Sequence, residues 1–524
     1  MVSFLPPANQ APSEHKNVIG GREFPQVTWY KDPQLRKLYA ISLILIISQA
    51  TNGFDGSMMN GLQSLVYWQN YFSHPDGPHL GLLNAIQSVG AVVAIPTVPY
   101  FSDGIGRKYT IIIGCILMFI GIALQSAAVN IGMFIAARFM IGFGVSYSTQ
   151  ASPLLIAELA HPQHRIVITS IYGTTYYLGS IIASWTTFGT LKIPSNWAWR
   201  APSLLQAAPS VIQLSLIWLV PESPRYLISR GKEAQAKAIL TRFHESSSGP
   251  EFVTAEFDEI CETIELEKEF SKRGWSELWA TPGNRYRSAI CILLGFFSQW
   301  SGNALVSYYI SKVLNSIGIT NETTQLEING GLAIWNMITA VSITFFIDKF
   351  GRRPLFLTSV GGMLVTFIAW TVCSSQFALH GNNQAATAVV AMIFIYYFFY
   401  NLSMSGLLAG YIVEILPYNI RAKGFALNAI CINGALFFNN YVNPIALDNI
   451  AWKYYIVYCC ILAAELVIVY ILWVETKNTT LEEVAVYFDG EDARVSGGML
   501  AMQSRKMGEE KGVINADVTT VHVD

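Results

Sequence analysis

The stretch Asp103-Gly104-Ile105-Gly106-Arg107-Lys108 returns 245 residues later as Asp348-Lys349-Phe350-Gly351-Arg352-Arg353. Both copies are short charged islands between apolar runs. Working outward from them, Glu158 with Arg165 is echoed by Glu414 with Arg421, seven residues apart each time and offset by 256. Pro221-Glu222-Ser223 is echoed by Val474-Glu475-Thr476 at an offset of 253. Three signatures in the same order point to a duplicated body, and duplicated membrane bodies hold their site between the repeats. A rigid anchor made of two similar scaffolds is the plainer alternative. Glycine ahead of each basic pair permits a tight turn. Asp103, Arg107, Glu158, Arg165, Asp348, Arg352, Glu414 and Arg421 then stand at helix ends, where acid and base groups can bridge neighbouring helices and gate one mouth.

The 524 residues are 52% hydrophobic and 13% charged, with a mean hydropathy of +0.38. That charged share is about half of the ~25% usual in soluble domains, which argues against a large water-soluble protein. A net charge of -2 gives no basic field, so no nucleic-acid partner is expected. Six of the seven cysteines lie in apolar runs, with no pair at metal-ligand spacing, and no metal site is expected. No glycine-lysine phosphate loop appears, and no nucleophile, base and electrophile assemble in the sequence, so neither nucleotide-driven pumping nor an enzyme is expected.

Crossing ~30 Å of hydrocarbon takes about 20 helical residues, because lipid offers backbone groups no partner. Twelve stretches qualify: 38–59, 82–101, 110–129, 131–152, 167–187, 201–220, 289–313, 330–347, 355–376, 386–411, 425–443 and 454–474. The expected fold is an all-α polytopic membrane protein of two pseudo-symmetric six-helix halves. Its divisions are a tail (1–37), a six-helix bundle (38–220), a linker with amphipathic helices (221–288), a second bundle (289–474) and a tail (475–524). Of 33 basic residues, 28 fall on one side: five in the first tail, ten in the linker, eight in loops between spans and five in the last tail. Lys192, Arg200, Lys312 and Lys453 fall on the other. The excess places both termini in the cytoplasm.

Ionisable groups inside the spans are functional candidates by default. Asp55 follows Asn52-Gly53-Phe54 in the first span, and Arg138 stands early in the fourth. Pairing across helices neutralises both, and protonating Asp55 releases the tie, so this pair is the proton-coupling candidate; a permanent structural pair is the alternative. The second half has no intramembrane arginine near residue 393, where the repeat would put one. In the seventh span Gln299 and Asn303 lie four apart, which on a continuous helix is one face. Their carboxamides donate and accept together, as a hydroxyl-rich neutral solute requires; packing between helices competes with that reading. Asn336, Tyr172, Tyr176, Trp185, Tyr411, Asn433, Asn439 and Asn440 are further candidates for solute contact.

In combination, Asp103 to Lys108, Arg138-Phe-Met-Ile-Gly-Phe-Gly144, Glu158 through Arg165, Pro221-Glu-Ser-Pro-Arg225, Asp348 to Arg353, Glu414 through Arg421 and Val474-Glu-Thr-Lys477 resemble the sugar porters of the major facilitator superfamily. The likeness runs from the first span to about Glu483. It implies alternating access with a sugar held centrally, and, in proton-coupled members, coupling through residues matching Asp55 and Arg138. Asn336 and Gln299 match sugar-contacting positions of the family. Ser298, Gly173, Ala304, Gly406 and Ala409 depart from it. With Asn443-Pro-Ile-Ala-Leu and Ala451-Trp-Lys-Tyr-Tyr, these departures look like the fungal lactose permease and cellodextrin transporter subgroup, and small side chains at Gly173, Ala304 and Ala409 suit a wider chamber.

The expectation is a plasma-membrane symporter importing a neutral disaccharide such as lactose or cellobiose, with the proton as coupling ion and no other cofactor. A sugar sensor with little net transport, a facilitator, and a glucose-type symporter are the rivals. Its partners are the sugar and the bilayer; oligomeric state is open. Asn321-Glu-Thr lies in the expected outer loop and matches a glycan acceptor.

Overall fold

The computed structural model describes residues 17–19, 22–271, 274–344, 350–477, 484 and 487–489. Asp348 and most of the last tail, including Glu482 and Glu483, lie outside the described residues. Helices begin where the sequence offers caps. Asp32 accepts from the backbone N–H of Gln34 and Leu35 ahead of Pro33–Leu62, with proline in the first turn. Asn130, Thr281 and Asn382 do the same for Ile131–Leu159, Pro282–Trp300 and Asn383–Tyr400. Gly381, in the left-handed conformation, stops Arg352–His380. A two-stranded antiparallel ribbon, Asn17–Ile19 with Arg22–Phe24, is the sheet found among the described residues.

Eight described helical runs are long and apolar enough to cross a bilayer, or nine if Gly77–Ala94 and Val98–Ile105, bent by 47°, are one span. Large apolar side chains such as Ile116, Val365, Ile368, Val467 and Ile471 stand exposed on them. That outside suits hydrocarbon rather than water. Between helices, small residues let backbones meet. A Cβ on Gly53 would run into the carbonyl of Tyr176, one on Gly179 into that of Ala50, and one on Gly142 into that of Gln87. These contacts lock Pro33–Leu62 to Arg165–Thr190 and Gly77–Ala94 to Ile131–Leu159.

The chain forms two compact units. The first holds Met1–Ser271 with Ala304–Met337 and Leu436–Asn449; the second holds Lys272–Asn303, Ile338–Ala435 and Ile450–Asp524. The first unit therefore carries pieces of three helices from the second half of the sequence.

The linker docks on the first unit. Helices Glu233–Ser248 and Pro250–Ser271 carry their apolar stripe inward, with Ala236, Leu240, Phe243, Phe252 and Val253 buried. Ser246 donates to Asp32 at 2.6 Å, tying the linker to the start of the first span. His244 faces Glu256 at 2.7 Å and the Leu159 carbonyl at 3.3 Å. His161 stacks on Phe252, accepts at Nδ1 from the Gln163 N–H and contacts Ser248 through Nε2. With Nδ1 accepting, Nε2 carries the proton and the ring is neutral.

Burial, helped by His244, His164 and Arg165, pushes the His161 imidazole down to about 3, and burial lowers His164 as well. A released linker would let His161, which stacks on Phe252 and contacts Ser248, return toward ~6.5 and bind more protons than the docked state does. Docking is therefore fully supported above that value and weakens as the pH falls below it. Relative to the intrinsic exchange rate, which itself slows as the pH falls, opening across 233–271 is expected to increase between about pH 7.5 and about pH 5.5, and to increase less in His161→Phe, which keeps a ring against Phe252 without a proton to bind. A profile flat in both proteins would refute the coupling.

Candidate functional site

Asp55 and Arg138 are both fully buried and lie 2.6 Å apart, on Pro33–Leu62 and Ile131–Leu159. Two glutamines complete the cluster. Gln206 donates to Asp55 Oδ1 at 2.7 Å, and Gln87 donates to Oδ2 while its own oxygen accepts from Arg138 at 2.6 Å. The carboxylate thus gathers donors from three other parts of the first unit. Gln125 continues the chain by donating to Gln206 at 3.3 Å. Such a network holds an ion pair in hydrocarbon because each carboxylate oxygen has a donor. Proton addition to Asp55 removes the charge that gathers these donors, yet leaves Arg138 with the Gln87 oxygen.

In the second unit the seventh span breaks. Pro282–Trp300 ends before Gly302, whose φ of +104° and lack of a Cβ, where Phe367 packs, make glycine necessary. A new helix starts at Asn303. Gln299 and Asn303 consequently do not share one face, which corrects the expectation drawn from their spacing. The break frees backbone carbonyls, and a run of tyrosines takes them up. Tyr400, Tyr396 and Tyr397 donate to the carbonyls of Ser298, Ser301 and Asn303 at 3.0, 3.1 and 3.3 Å. Tyr397 also donates to Asn303 Oδ1 at 2.9 Å.

A second irregularity lies in the first unit at Tyr309, with φ -137° and ψ 28° inside Asn303–Ser316. Here Asn60 enters the helix ladder: its Nδ2 donates to the Val306 carbonyl and its Oδ1 accepts from the Ile310 N–H, both at 3.1 Å. Those two backbone groups would bond each other in an unbroken helix. Gln63 donates to the Tyr308 carbonyl at 2.8 Å, and Asp448 accepts from Lys312 at 2.6 Å and from the Gly77 N–H at 3.0 Å. Segments 304–337 and 436–449 are held to the first unit through these bonds.

The charged signatures meet in matching arrangements, one in each unit. Arg107 bonds Glu158 at 3.1 Å and Asp103 at 3.2 Å, and the backbone N–H groups of Arg107 and Lys108 point at Glu222. Arg352 bonds Glu414 at 2.9 Å, and the N–H groups of Arg352 and Arg353 donate to Glu475 at 2.8 and 3.2 Å. Thr476 adds a bond to Glu414. Burial raises the Glu222 carboxyl, against the pull of its N–H donors and Arg107. The glycines differ: Gly106 has φ +107°, whereas Gly351 has φ -68°. Arg421 bonds the Leu416 carbonyl at a helix end, and Arg165 lies within the field of linker residues Glu256 and Glu259 as well as Glu158.

Residues 41–488 match the family model described as Sugar (and other) transporter. The chain belongs to that family. It is 27% identical over 480 residues to the high-affinity glucose transporter of Kluyveromyces lactis, covering 87% of this chain and 86% of that one. It is 27% identical over 438 residues to the probable polyol transporter 6 of Arabidopsis thaliana, covering 80% and 87%. The inward-open xylose transporter XylE of E. coli shares the fold, with a TM-score of 0.71 and 22% identity over 86% of this chain and all of that one. The all-α polytopic fold of the major facilitator superfamily is thereby established for this transporter.

Other expected contact residues of the transporter are spread among different surroundings. Tyr172 is buried and bonds Ser48 and the Thr149 carbonyl. Tyr176 is half-buried, its hydroxyl beside Gly56, which also has Tyr308 close by. Asn336 is buried on Glu322–Thr344 in the first unit. Asn433 donates back to the Ala429 carbonyl of its own helix. Tyr411 is fully buried, exchanges bonds with the backbone of Val474 and stacks on Trp473, so in this conformation it holds a helix end rather than facing a solute. Ala304 is fully buried too, which removes it from the proposed widening of a chamber. Gly173 has open space where a Cβ would stand. Trp185 packs over Gly330. The sequence reading passed over Gln87, Gln206 and Asn60; carboxamides in apolar runs were the available signal.

Replacing Asn60 with leucine leaves the Val306 carbonyl and Ile310 N–H buried without partners, at about 1–3 kcal/mol. Purified Asn60→Leu should melt below the wild type, whereas an unchanged midpoint would mean that the ladder closes by itself. Gly106→Ala should lower the midpoint more than Gly351→Ala, because only the first adds backbone strain of about 1–3 kcal/mol to the clash with a glutamate; equal losses would contradict this.

Proposed function

We propose that this chain is a proton-coupled symporter of a neutral monosaccharide, working by alternating access. The observation that carries the reading is the buried Asp55–Arg138 pair with its two glutamine partners. One carboxylate fastens three other parts of the first unit, and one proton cancels its charge. Protonation and sugar binding together then favour the conformational change, and release of both resets it. The proposed sugar-contact residues are Gln299 and Asn303 at the helix break, with Asn433, in the second unit, and Asn336, Tyr172 and Tyr176 in the first. The two charged signatures are the proposed gates, each bracing the helix ends of one unit.

The number of spans follows from helix lengths. To the nine runs are added Pro33–Leu62 and Arg165–Thr190, with 30 and 26 residues but more polar groups. The 50-residue run Lys423–Leu472 extends about 75 Å as helix, enough for two crossings, and Ala451–Lys453 interrupts it. This supports a reading of twelve spans. An even number would put both termini on one side, and the excess of basic residues favours the cytoplasm for that side; the plasma membrane is the proposed location.

Monosaccharide size is favoured over the disaccharide expected from the sequence. A relative carries glucose in its name, and solved structures of the same fold are titled as a proton:xylose symporter. Lactose or cellobiose is the second reading: the open space at Gly173 and the exposed Ala409 suit a larger sugar, while buried Ala304 does not.

Proteoliposomes with an imposed proton gradient, offered labelled D-glucose, D-xylose, lactose and cellobiose, separate these readings. Accumulation of a monosaccharide that vanishes with the gradient is expected. Equilibration indifferent to the gradient would make the protein a facilitator, and sugar binding without flux a sensor. Asp55→Asn should lose uphill uptake and keep exchange; retained uphill uptake would end the assignment.

A further inference from the structure

Within the spans, the described residues hold a second fully buried carboxyl. Glu465 stands on Tyr454–Leu472 in the second unit, 1% exposed, and neither of its oxygens has a hydrogen-bond partner. An ionised carboxylate in that position would lack both a donor and a counter-ion, a combination that hydrocarbon surroundings strongly oppose. Among the described residues, no ion pair or hydrogen bond brings a cation to it. Residues 355–379 of Arg352–His380, which packs along the same helix, include no charged side chain and only Cys373 that titrates. Helix Asn383–Tyr400 offers only tyrosines, with Tyr396 within electrostatic reach. On Pro282–Trp300, Arg285 bonds the Trp279 carbonyl and Arg287 bonds Asp489, leaving Cys291 as the titratable group deeper in that helix. Tyr454, Tyr455, Tyr458, Cys459 and Cys460 are the other titratable groups along the inner part of its own helix.

Asp55 and Glu465 therefore solve the burial of a carboxyl differently. Asp55 is balanced by a permanent cation, whereas Glu465 is balanced by nothing but a bound proton. The repeat sharpens the contrast. At the offset of 253 that relates Pro221 to Val474, Glu465 falls opposite Ile212, beside Gln213. Gln213 is also buried but fully engaged, donating to the Ile44 carbonyl at 3.1 Å and accepting from Cys115. The position matching the acid is thus an apolar isoleucine in the first unit, with a fully hydrogen-bonded neutral carboxamide next to it.

We propose that Glu465 is a second proton-carrying site of the transport cycle, bound to its proton in the buried state and releasing it when the second unit admits water. The step is a proton transfer to and from water: the carboxylate gains H+ before burial and returns it after exposure. Glu465 and the helix break at Gly302, where Tyr396 donates to the Ser301 carbonyl, belong to the same unit.

The inference rests on the symport reading, and the experiment separates their failures. Full-length wild type, Asp55→Asn and Glu465→Gln are reconstituted and given labelled D-glucose, D-xylose and lactose, with and without a proton gradient. Glutamine mimics the protonated acid in shape and neutrality, so a purely structural role predicts a variant that accumulates like the wild type. A proton carrier predicts loss of gradient-driven accumulation with exchange retained. If the wild type accumulates, Asp55→Asn does not and Glu465→Gln does, the Glu465 proposal falls and the Asp55 reading stands. A wild type without gradient-driven accumulation sinks both. Infrared difference spectra of the purified protein give a readout that survives poor folding of the variant. The carbonyl band of a protonated carboxyl, assigned by carboxyl-carbon isotope labelling of glutamate, should change when pH is raised with sugar present. A band that never responds overturns the proposal.

Discussion

Hydrocarbon offers no partner to a charge or to a free backbone group, and that single constraint organises the transporter. At Asp55 it forces a counter-ion and a donor for each oxygen, which the first unit provides from Arg138, Gln87 and Gln206. The same arrangement that makes the carboxylate tolerable makes it a fastening. Its strength depends on one charge, so a single proton can loosen contacts made by several helices. Under the proposed symport, coupling and stability are the same set of bonds read in two protonation states.

Backbone groups obey the constraint as strictly as charges do. Breaking the helix at Gly302 leaves carbonyls that would be costly in lipid, and Tyr396, Tyr397 and Tyr400 receive them. The irregular turn at Tyr309 is sustained by Asn60, whose carboxamide stands in for the missing bond between Val306 and Ile310. Such side chains make a break stable without making it permanent, since a carboxamide or hydroxyl can release a backbone group that then re-forms its helical bond. Irregular backbone thus survives inside the membrane only where another helix supplies the partner.

What the sequence made legible follows from the same physics. Charges in apolar runs are conspicuous, so Asp55 and Arg138 stood out and their proximity is observed. The recurring acid–base islands were equally visible, and the structure gives each unit its own ring of arginine, glutamates and backbone N–H groups. Neutral partners were not conspicuous: Gln87, Gln206 and Asn60 look like ordinary polar interruptions until their neighbours are known. Spacing misled at Gln299 and Asn303, because a four-residue interval implies one face only while the helix continues, and Gly302 ends it. Tyrosines were ambiguous for another reason. An aromatic with a hydroxyl suits a sugar and a helix end alike, and Tyr411 proved to serve the end. Glu465 was overlooked beside more obvious motifs although it carries the signal of an acid in an apolar helix.

Duplication explains why the two halves share scaffolding but not ionisable chemistry. Helix ends face the same geometric demand in both copies: a short turn must bring an arginine to a glutamate and two N–H groups to another. Both copies meet it with nearly the same residues, differing in the backbone of Gly106 and Gly351. A buried charge faces no such repeated demand. It is admissible wherever its own neighbours balance it, so one copy can hold an aspartate against an arginine and the other an acid with no cation at all. Two identical halves would respond alike to a proton; halves that balance their buried acids differently can respond in sequence.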